Sequence, residues 1–507
     1  MFFERLSVVL VTSFIARGFF LLVPLMVTPL VLKNIGVGKY SIIGVFAFIQ
    51  SAIALLDLGI VPTLVREISI LRARNASDQV LRNTLRTVEL IYAGLAVSVV
   101  IFGGLSGGFV AFYWMKIELM DEWQVTLIFL VMSVGASASF MNGLYSATMV
   151  AMNHQLRLNI LSILISLFGA AISICGLVIF YWDLPEFVTC QAGISWMSLA
   201  IMRRFAWRTL PSWSSGASFD HAILSSLRRF ATGMSITQLL AVISMNLDRI
   251  LLARLLPATS FGHYALASSI ASSLSGVGHP IISVVTPKLM YAFGSEDRVD
   301  AIRHYHFYSQ MVSVIVFPVI VTAVIFAEPL LLAWLDDIEI ARAASFPFQL
   351  LAIGWLLNVL MNLPYVVQLA HGWVKLGLFG LLAALIIQLP ILVYFVPRFG
   401  ISAGAWSWLI MELGFFFIAI PLMHRYILKG EAFEWYLRDV SLPGFGAVIV
   451  NVLSFMFYDY ILVRFSLGRI SMFLYVGITI FLSMITSVLL ANKVFPAIKK
   501  FRIHKSS

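Results

Sequence analysis

Long apolar runs separated by short polar stretches dominate the chain from end to end. A helix needs about 20 apolar residues to cross the hydrocarbon core of a bilayer. A membrane barrel would instead show alternation over strands of about ten residues. The pattern therefore predicts an all-α integral membrane protein of about fourteen transmembrane helices, near residues 8–32, 40–64, 87–114, 124–151, 157–182, 185–202, 229–256, 262–288, 307–335, 344–370, 374–396, 400–423, 440–463 and 471–493.

The composition agrees with this pattern. Hydrophobic residues make up 61% of the chain and charged residues only 11%, against about 25% charged in a typical soluble domain. The net charge of +10 is spread over short loops, which does not indicate a nucleic-acid partner. The rings of His304 and His306 do not share a helical face at their i, i+2 spacing, so we predict no metal site.

Lys and Arg are unevenly divided between alternate loops. If the N-terminus is cytoplasmic, 24 of the 34 Lys and Arg residues fall on the cytoplasmic side, eight fall on the other side and two lie inside spans. Cytoplasmic loops of membrane proteins carry the excess of positive charge. Both termini are therefore expected to be cytoplasmic.

A faint internal repeat divides the chain. Residues 36–42 (Gly-Val-Gly-Lys-Tyr-Ser-Ile) follow the first predicted span, and residues 260–266 (Ser-Phe-Gly-His-Tyr-Ala-Leu) follow the seventh. A shift of roughly 220 residues maps spans 1–6 onto spans 7–12, as in parallel repeats that share a central site. The predicted organisation is two pseudo-symmetric six-helix lobes plus two extra C-terminal helices: an N-terminal lobe at 1–205, a cytoplasmic linker at 206–228, a C-terminal lobe at 229–427, and spans 13–14 with a basic tail at 428–507.

Charged residues inside the predicted spans are the first candidates for function. Each costs roughly 2.5–3.5 kcal/mol to insert, so such residues usually face a polar cavity or pair with one another. Arg17 and Arg249 are the cations, in the repeat-equivalent first and seventh spans. Asp57, Asp248 and Glu412 are the acids proposed for function, and Glu89 in the third span is a further acid near the cytoplasmic rim, opposite Arg86. The acids either bind a coupling ion or form salt bridges with the arginines, and the sequence leaves both alternatives open.

Span 8 is rich in small residues and contains Gly276, Gly278, His279 and Pro280. Small residues allow close helix packing, whereas Gly and Pro allow bending. The segment is therefore either a packing seam or a hinge that lines a cavity. Asn246 in span 7 is a further candidate for lining the cavity.

Several of these landmarks together resemble the polysaccharide (Wzx-type) flippases of the MOP exporter superfamily. The carrying residues are Gly-Lys-Tyr at 38–40, Asp-Leu-Gly at 57–59, Asn-Leu-Asp-Arg-Ile-Leu-Leu at 246–252 and Gly-His-Tyr-Ala-Leu at 262–266. The likeness covers most of the first 425 residues. It implies a flippase of the bacterial inner membrane that moves an undecaprenyl-pyrophosphate-linked oligosaccharide, such as an O-antigen repeat unit, by alternating access.

The same resemblance implies the remaining parts of the mechanism. No cofactor is expected beyond H⁺ or Na⁺ as a coupling ion, and a polysaccharide polymerase and a chain-length regulator are expected partners besides membrane lipids. Arg suits a diphosphate because its planar fork gives bidentate charge-assisted bonds, which favours Arg17 and Arg249 as its ligands. Arg66, Lys288 and Lys375 are expected at the cytoplasmic entrance, either as topology signals that bind anionic headgroups or as capture sites for the anionic carrier.

Other functions remain as alternatives. Membrane polysaccharide polymerases and ligases carry a large outer loop, whereas every predicted outer loop here is short, so we expect a transporter and not an enzyme. Within the same superfamily, a multidrug exporter would favour an acid-lined cavity for cationic drugs. A peptidoglycan lipid-precursor flippase is closer still to the polysaccharide flippase, and the sequence hardly distinguishes these two functions.

Overall fold

The computed structural model describes residues 23–57, 60–73, 77–114, 120–210, 217–220, 240, 242–294, 298–458, 460 and 469–491. Regular structure in these ranges is helical, and none of the residues described in them forms a strand. The prediction of an all-α protein is thereby confirmed. The chain folds as two compact units, Met1–Gly262 and His263–Ser507.

The first unit contains eight described helices. They are α1 (Val23–Ile35), α2 (Val37–Ile53), α3 (Ile60–Ala73), α4 (Asp78–Phe109), α5 (Glu122–Ala151), α6 (Gln155–Ile179), α7 (Leu184–Thr209) and α8 (242–255). Helix α5 packs against α3, α4 and α7. The core between them is built from buried aliphatic and aromatic side chains such as Leu64, Leu85 and Tyr145.

Helix α8 belongs to the first unit, although its sequence belongs to the predicted C-terminal lobe. The indole Nε1 of Trp114, in the π-helical turn that extends α4, donates to the carbonyl oxygen of Ile250 at 3.2 Å. The predicted lobe boundaries stay a prediction.

The second unit contains eleven described helices. They are α9 (Ala258–Leu274), whose first turn precedes the unit boundary, α10 (His279–Gly294), α11 (Arg298–Ile325), α12 (Ala327–Leu335), α13 (Ile338–Ala370), α14 (Val374–Phe399), α15 (Ile401–Gly414), α16 (Ile420–Tyr426), α17 (Ala432–Glu434), α18 (Leu442–Tyr458) and α19 (Arg469–Leu490). Helices α10, α11, α13 and α15 pack side by side, and α18 and α19 pack together against α11.

Within the described ranges, nine helices or helix pairs are long and apolar enough to cross a membrane. Many of them expose large apolar side chains, including Phe102 on α4, Ile386 on α14 and Leu474 on α19. An apolar outer surface of this kind suits contact with lipid. The chain is thus a multi-pass membrane protein, while the count of fourteen spans stays a prediction.

Two of the predicted spans are each divided into two helices too short to be counted as spans, which partly explains the lower count. The span predicted at 40–64 is divided into α2 and α3 by a 3₁₀ turn at Ala54–Asp57. The span predicted at 262–288 is divided into α9 and α10 by a 3₁₀ turn at Ser275–Val277. The two breaks occupy equivalent positions in the predicted repeat.

Candidate substrate and coupling sites

Helix α8 carries three of the predicted site residues in one turn. Asn246 and Asp248 are buried, at 5% and 4% exposure, and Arg249 is half-buried. The guanidinium of Arg249 donates to Asn246 Oδ1 at 3.3 Å, and Asn246 Nδ2 donates to the Val242 carbonyl at 2.8 Å. The i, i+3 spacing places the Arg249 guanidinium next to the Asn246 amide, so at least one of its N–H donors is used within its own helix.

Asp57 lies at the break between α2 and α3. One of its carboxylate oxygens accepts from the hydroxyl of Tyr92 on α4 and from the backbone N–H of Val61 at 3.2 Å. A helix start leaves backbone N–H groups without helical partners, and an acceptor side chain satisfies one of them. Asp57 therefore stabilises the break locally, and a role in ion coupling stays a prediction.

The break between α9 and α10 falls within the Gly-Pro segment predicted as a seam or hinge. The exposed ring of His279 bonds through Nδ1 to the Ser275 carbonyl at 2.7 Å. Gly278 is buried, and a Cβ at this position would overlap the side chain of Val359 on α13 and lie 3.2 Å from Val316 on α11. The segment is thus a bend, with Gly276 inside it and Pro280 in the first turn of α10, and also a close packing contact.

Glu412 lies on α15, where it faces α13. Its carboxyl is 1% exposed, and Oε1 accepts from Asn358 Nδ2 at 3.1 Å. Oε2 has no hydrogen-bond partner among the residues that the structure describes. The indole Nε1 of Trp408, one turn earlier, is likewise buried without a described partner. A buried polar atom of this kind is costly unless something else satisfies it, so Glu412 Oε2 can bind a proton or a cation or accept a hydrogen bond from water.

A second network is built around Glu89 on α4, which the sequence indicated as an intramembrane acid opposite Arg86 but not as a site residue. Glu89 is 4% exposed and accepts from Arg86 at 2.8 Å, Arg203 Nε at 2.7 Å and the Tyr145 hydroxyl at 2.6 Å. The bonds tie α4 to α5 and α7. Only Arg86, one turn before Glu89, was visible from sequence spacing, because the other two partners are distant in the chain.

A cavity of about 490 Å³ lies inside the first unit. It is bounded by α1, α2, α5 and α7, and its polar lining consists of Gln50, Ser139, Gln191 and Ser195. The remaining lining residues are mostly apolar. Scattered hydroxyl and amide groups on an apolar wall could hydrogen-bond a sugar or another polar ligand.

Positive charge gathers near the loop that joins α5 to α6. Arg72 on α3 donates to the carbonyl of Ala151 at 2.5 Å, and Arg157 lies in the first turn of α6. Burial, together with the charges of Arg157 and Arg72, lowers the pKa of His154. His154 is therefore neutral at pH 7, and the arginines provide the positive charge here.

The other predicted site residues are placed only in part. Arg17 lies outside the described residues. Arg66 lies in α3, and Lys288 and Lys375 are exposed near the end of α10 and at the start of α14. The proposed entrance and diphosphate roles of these residues stay predictions.

The helices described above form a multi-pass membrane protein with buried polar groups inside its helices. The chain belongs to a family described as "Polysaccharide biosynthesis protein", whose model matches residues 38–337, more than half of its length. A protein of Shigella flexneri described as "Putative O-antigen transporter" is 21% identical over 378 residues, covering 74% of this chain and 86% of that protein. The resemblance to polysaccharide transporters is confirmed, and the relatives are transporters and not enzymes.

Solved structures show the same fold at low sequence identity. A structure described as "Lipid II flippase MurJ, inward closed conformation" matches with a TM-score of 0.66 and 12% identity over 96% of this chain and 99% of that chain. An inward-facing multidrug resistance MATE family transporter of the MOP superfamily matches with a TM-score of 0.60 and 14% identity over 81% and 96% of the two chains. The chain therefore has the fold seen in these MurJ and MATE structures.

Proposed function

We propose that the protein is a flippase that moves an undecaprenyl-pyrophosphate-linked oligosaccharide across the bacterial inner membrane by alternating access. The cargo would be an O-antigen or another surface polysaccharide repeat unit. The observation that carries the proposal is the family match over residues 38–337, which contains the polar turn of α8. The relative described as an O-antigen transporter supports the same cargo class.

The cargo has a negatively charged diphosphate, for which Arg249 and Arg17 are the proposed ligands. The guanidinium of Arg249 donates to the neutral amide of Asn246 at 3.3 Å, and such a bond is weak compared with a charge-assisted bond to a phosphate. A hydrogen bond to a charged group contributes about 1.5–3 kcal/mol. Losing one such bond would weaken diphosphate binding about tenfold or more.

Replacement of Arg249 should therefore reduce transport. We expect Arg249→Ala, at normal membrane levels in a strain that lacks the native gene, to lower surface polysaccharide by about tenfold. Arg249→Lys should recover only part of it, since an ammonium lacks the planar fork. Surface polysaccharide is measured on gels of extracted glycan.

The matched control is Arg254→Ala, which removes an exposed arginine five residues later on the same helix. It should leave surface polysaccharide unchanged. Wild-type polysaccharide from both Arg249→Ala and Arg17→Ala would exclude cation binding of the diphosphate. Equal losses from Arg249→Ala and Arg254→Ala would point to a general effect of charge on α8.

We also propose that transport is coupled to H⁺ or Na⁺. Glu412 is favoured over Asp57 and Asp248, because Asp57 already caps a helix break and Asp248 lies beside Arg249. A buried carboxyl with one unsatisfied oxygen is stable when it holds a proton or a cation and is destabilised when it holds neither. Binding or release of the proton or cation at Glu412 would therefore shift the equilibrium between conformations of α13 and α15.

Two alternatives within the same fold lead to different results in cells. The MurJ structure favours a peptidoglycan lipid-precursor flippase, and the MATE structures favour a multidrug exporter. Loss of the gene should remove surface polysaccharide under the present proposal. Arrested cell-wall synthesis would support the first alternative, and drug sensitivity with intact polysaccharide would support the second. A polysaccharide polymerase and a chain-length regulator are proposed partners.

A further inference from the structure

The third turn of α11 contains a histidine, His306, whose acidic partners come from far along the chain. His306 is 1% exposed. It faces the segment between α16 and α18, which contains the short helix α17 and a π-helical stretch at Trp435–Ser441. Gly430 has a φ of +89°, a conformation that glycine adopts at little cost, and it turns the chain into this segment.

Both ring nitrogens of His306 face carboxylates. Nδ1 is hydrogen-bonded to Asp439 Oδ2, and Nε2 lies 3.0 Å from Glu431 Oε2. The other oxygen of Asp439 accepts from Gln310 Nε2, also on α11, at 3.0 Å. Asp439 is fully buried, so its carboxylate is fixed in position and in turn fixes the orientation of the imidazole.

We propose that this cluster is a Zn²⁺ site whose protein ligands are His306 Nε2, Glu431 and Glu434. One ligand atom from each of the three residues lies within 4.8 Å of the other two. Zinc bonds of about 2.0–2.2 Å allow ligand atoms to stand up to about 4 Å apart. The side chains of Glu431 and Glu434 are 26% and 30% exposed, so a rotation about their flexible bonds closes the remaining gap.

Asp439 provides an independent argument for a metal. Histidines that bind metal ions usually donate their second N–H to a carboxylate, which fixes the tautomer and raises the basicity of the ligating nitrogen. The Asp439–His306 bond has this arrangement, and it leaves Nε2 directed at the two glutamates. Asp439 is therefore a positioning residue, and a zinc ion takes the place of the Nε2 proton.

The donor set selects among cations. Calcium and magnesium prefer oxygen ligands alone, whereas one imidazole with two carboxylates suits zinc and its transition-metal neighbours. The i, i+2 spacing of His304 and His306 predicted no metal site, because two such rings do not share a helical face. Those two rings do point apart, since His304 Nδ1 pairs with Asp300 at 3.1 Å, and the actual partners of His306 lie more than a hundred residues later.

The site would act as a structural clamp. It joins α11, which packs in the centre of the second unit, to the segment that starts α18, and α18 and α19 both pack against α11. The metal would thus fix the last two long helices to the rest of their unit. This inference does not depend on which cargo the transporter carries.

The test uses the full-length protein purified in detergent and dialysed against a chelator. Titration with Zn²⁺ in competition with a chromophoric chelator should show one tight site per chain, and Mg²⁺ at the same concentration should not compete. The double variant Glu431→Gln with Glu434→Gln should weaken zinc binding by at least about 100-fold. The matched control, His304→Gln, removes the neighbouring histidine and should bind zinc as the wild type does.

Asp439→Asn tests the positioning role. It should weaken zinc binding about 10–100-fold, while the visible absorption bands of the Co²⁺-loaded protein keep their wavelengths because the ligands are unchanged. Shifted bands would mean that Asp439 is itself a ligand. If the wild type takes up no zinc, or if the double glutamine variant binds it as tightly as the wild type, the cluster is a closed set of ion pairs and the proposal is wrong.

Discussion

Single polar side chains in these helices are held by partners from other helices, and Glu89 is a clear case. Its carboxylate joins α4 to α5 and α7 through Tyr145 and Arg203. Removing one member of a buried ion pair costs more than the pair contributes, because the charge left behind has no partner. The stability of the first unit should therefore depend on this one carboxylate.

Glu89→Gln should measurably lower the stability of the protein. A fully buried pair loses about 3–5 kcal/mol when one partner is removed. The Arg203 side chain is 52% exposed, so we expect a loss of about 2 kcal/mol after allowing for solvent screening. The measurement is the midpoint of thermal unfolding in detergent.

Asp300→Asn is the matched control for Glu89→Gln. Asp300 pairs with Arg303 at 3.4 Å at an exposed position near the start of α11. Exposed pairs contribute at most about 1 kcal/mol, so its unfolding midpoint should shift less. Equal shifts for the two variants would show that the buried network around Glu89 contributes no more than a surface pair.

Sequence spacing predicted the contact within one helix and missed the contacts between different helices. Arg86 and Glu89 lie one helical turn apart, so their contact could be predicted from the helix alone. Tyr145 and Arg203 reach Glu89 only because α5 and α7 pack beside α4. The same limit applied to His306, whose acidic partners come from a segment after the twelfth predicted span. Long-range side-chain contacts need the packing of helices, which hydrophobic pattern alone does not give.

At the scale of helices, the broken segments are the main features for function. The Gly-Pro sequence around Gly278 predicted either a packing seam or a hinge that lines a cavity. The structure has a 3₁₀ turn and a close packing contact at this place, and the hinge and cavity role stays a prediction. The break at Ala54–Asp57 is less evident from the sequence, because only Asp57 and the nearby Gly59 and Pro62 indicate it. Helices that carry Gly and Pro can bend where neighbouring groups satisfy the freed backbone.

Gly278→Ala should destabilise the second unit by about 1–3 kcal/mol, the usual cost of overfilling a packed core. The added methyl group would overlap Val359 and push α10 away from α13. Thermal unfolding in detergent measures the loss, and surface polysaccharide reports its effect on transport.

Gly414→Ala is the control for Gly278→Ala, because it should not lower the stability of the protein. Gly414 ends α15, and a Cβ there meets no atom within 4 Å. Alanine in a helix is favoured over glycine by about 1 kcal/mol or less, so this variant should be unchanged or slightly more stable. If Gly278→Ala behaves in the same way, α10 and α13 are not closely packed at the bend.

For the whole molecule, the sequence predicted the class and the family, while the number of spans and the lobe boundaries stay open. Apolar run length is a strong signal because the bilayer fixes the length of a helix. It is weaker where a span is made of two short helices, as it is twice here. Which residues meet the cargo depends on how complete units assemble and move, and no local pattern contains that information.

Ion coupling is tested on the complete transport cycle. Glu412→Gln replaces a group that can bind a proton or a cation with a neutral amide of the same shape. If Glu412 couples transport, the variant should retain binding of the lipid-linked cargo but lose the dependence of flipping on the ion gradient. Flipping is measured in reconstituted vesicles with an imposed H⁺ or Na⁺ gradient.

Asn358→Asp is the companion variant to Glu412→Gln, since it places a second acid 3.1 Å from the first. Two adjacent buried carboxyls resist double ionisation, so the pH at which the gradient drives transport should shift. Unchanged gradient dependence in both variants would assign coupling to another acid, with Asp248 the next to test.

The paired helix breaks also bear on how the protein enters the membrane during synthesis. Helices α2 and α3 have 17 and 14 residues, and α9 and α10 have 17 and 16. At 1.5 Å per residue even the longest is about 26 Å, short of the hydrocarbon core of about 30 Å. No single helix of either pair can cross the membrane alone, so each pair must insert into the bilayer together. The backbone hydrogen bonds of the helix are then incomplete at the break between the two helices. We expect these two spans to settle last, after α5 and α13 have arrived to cover them.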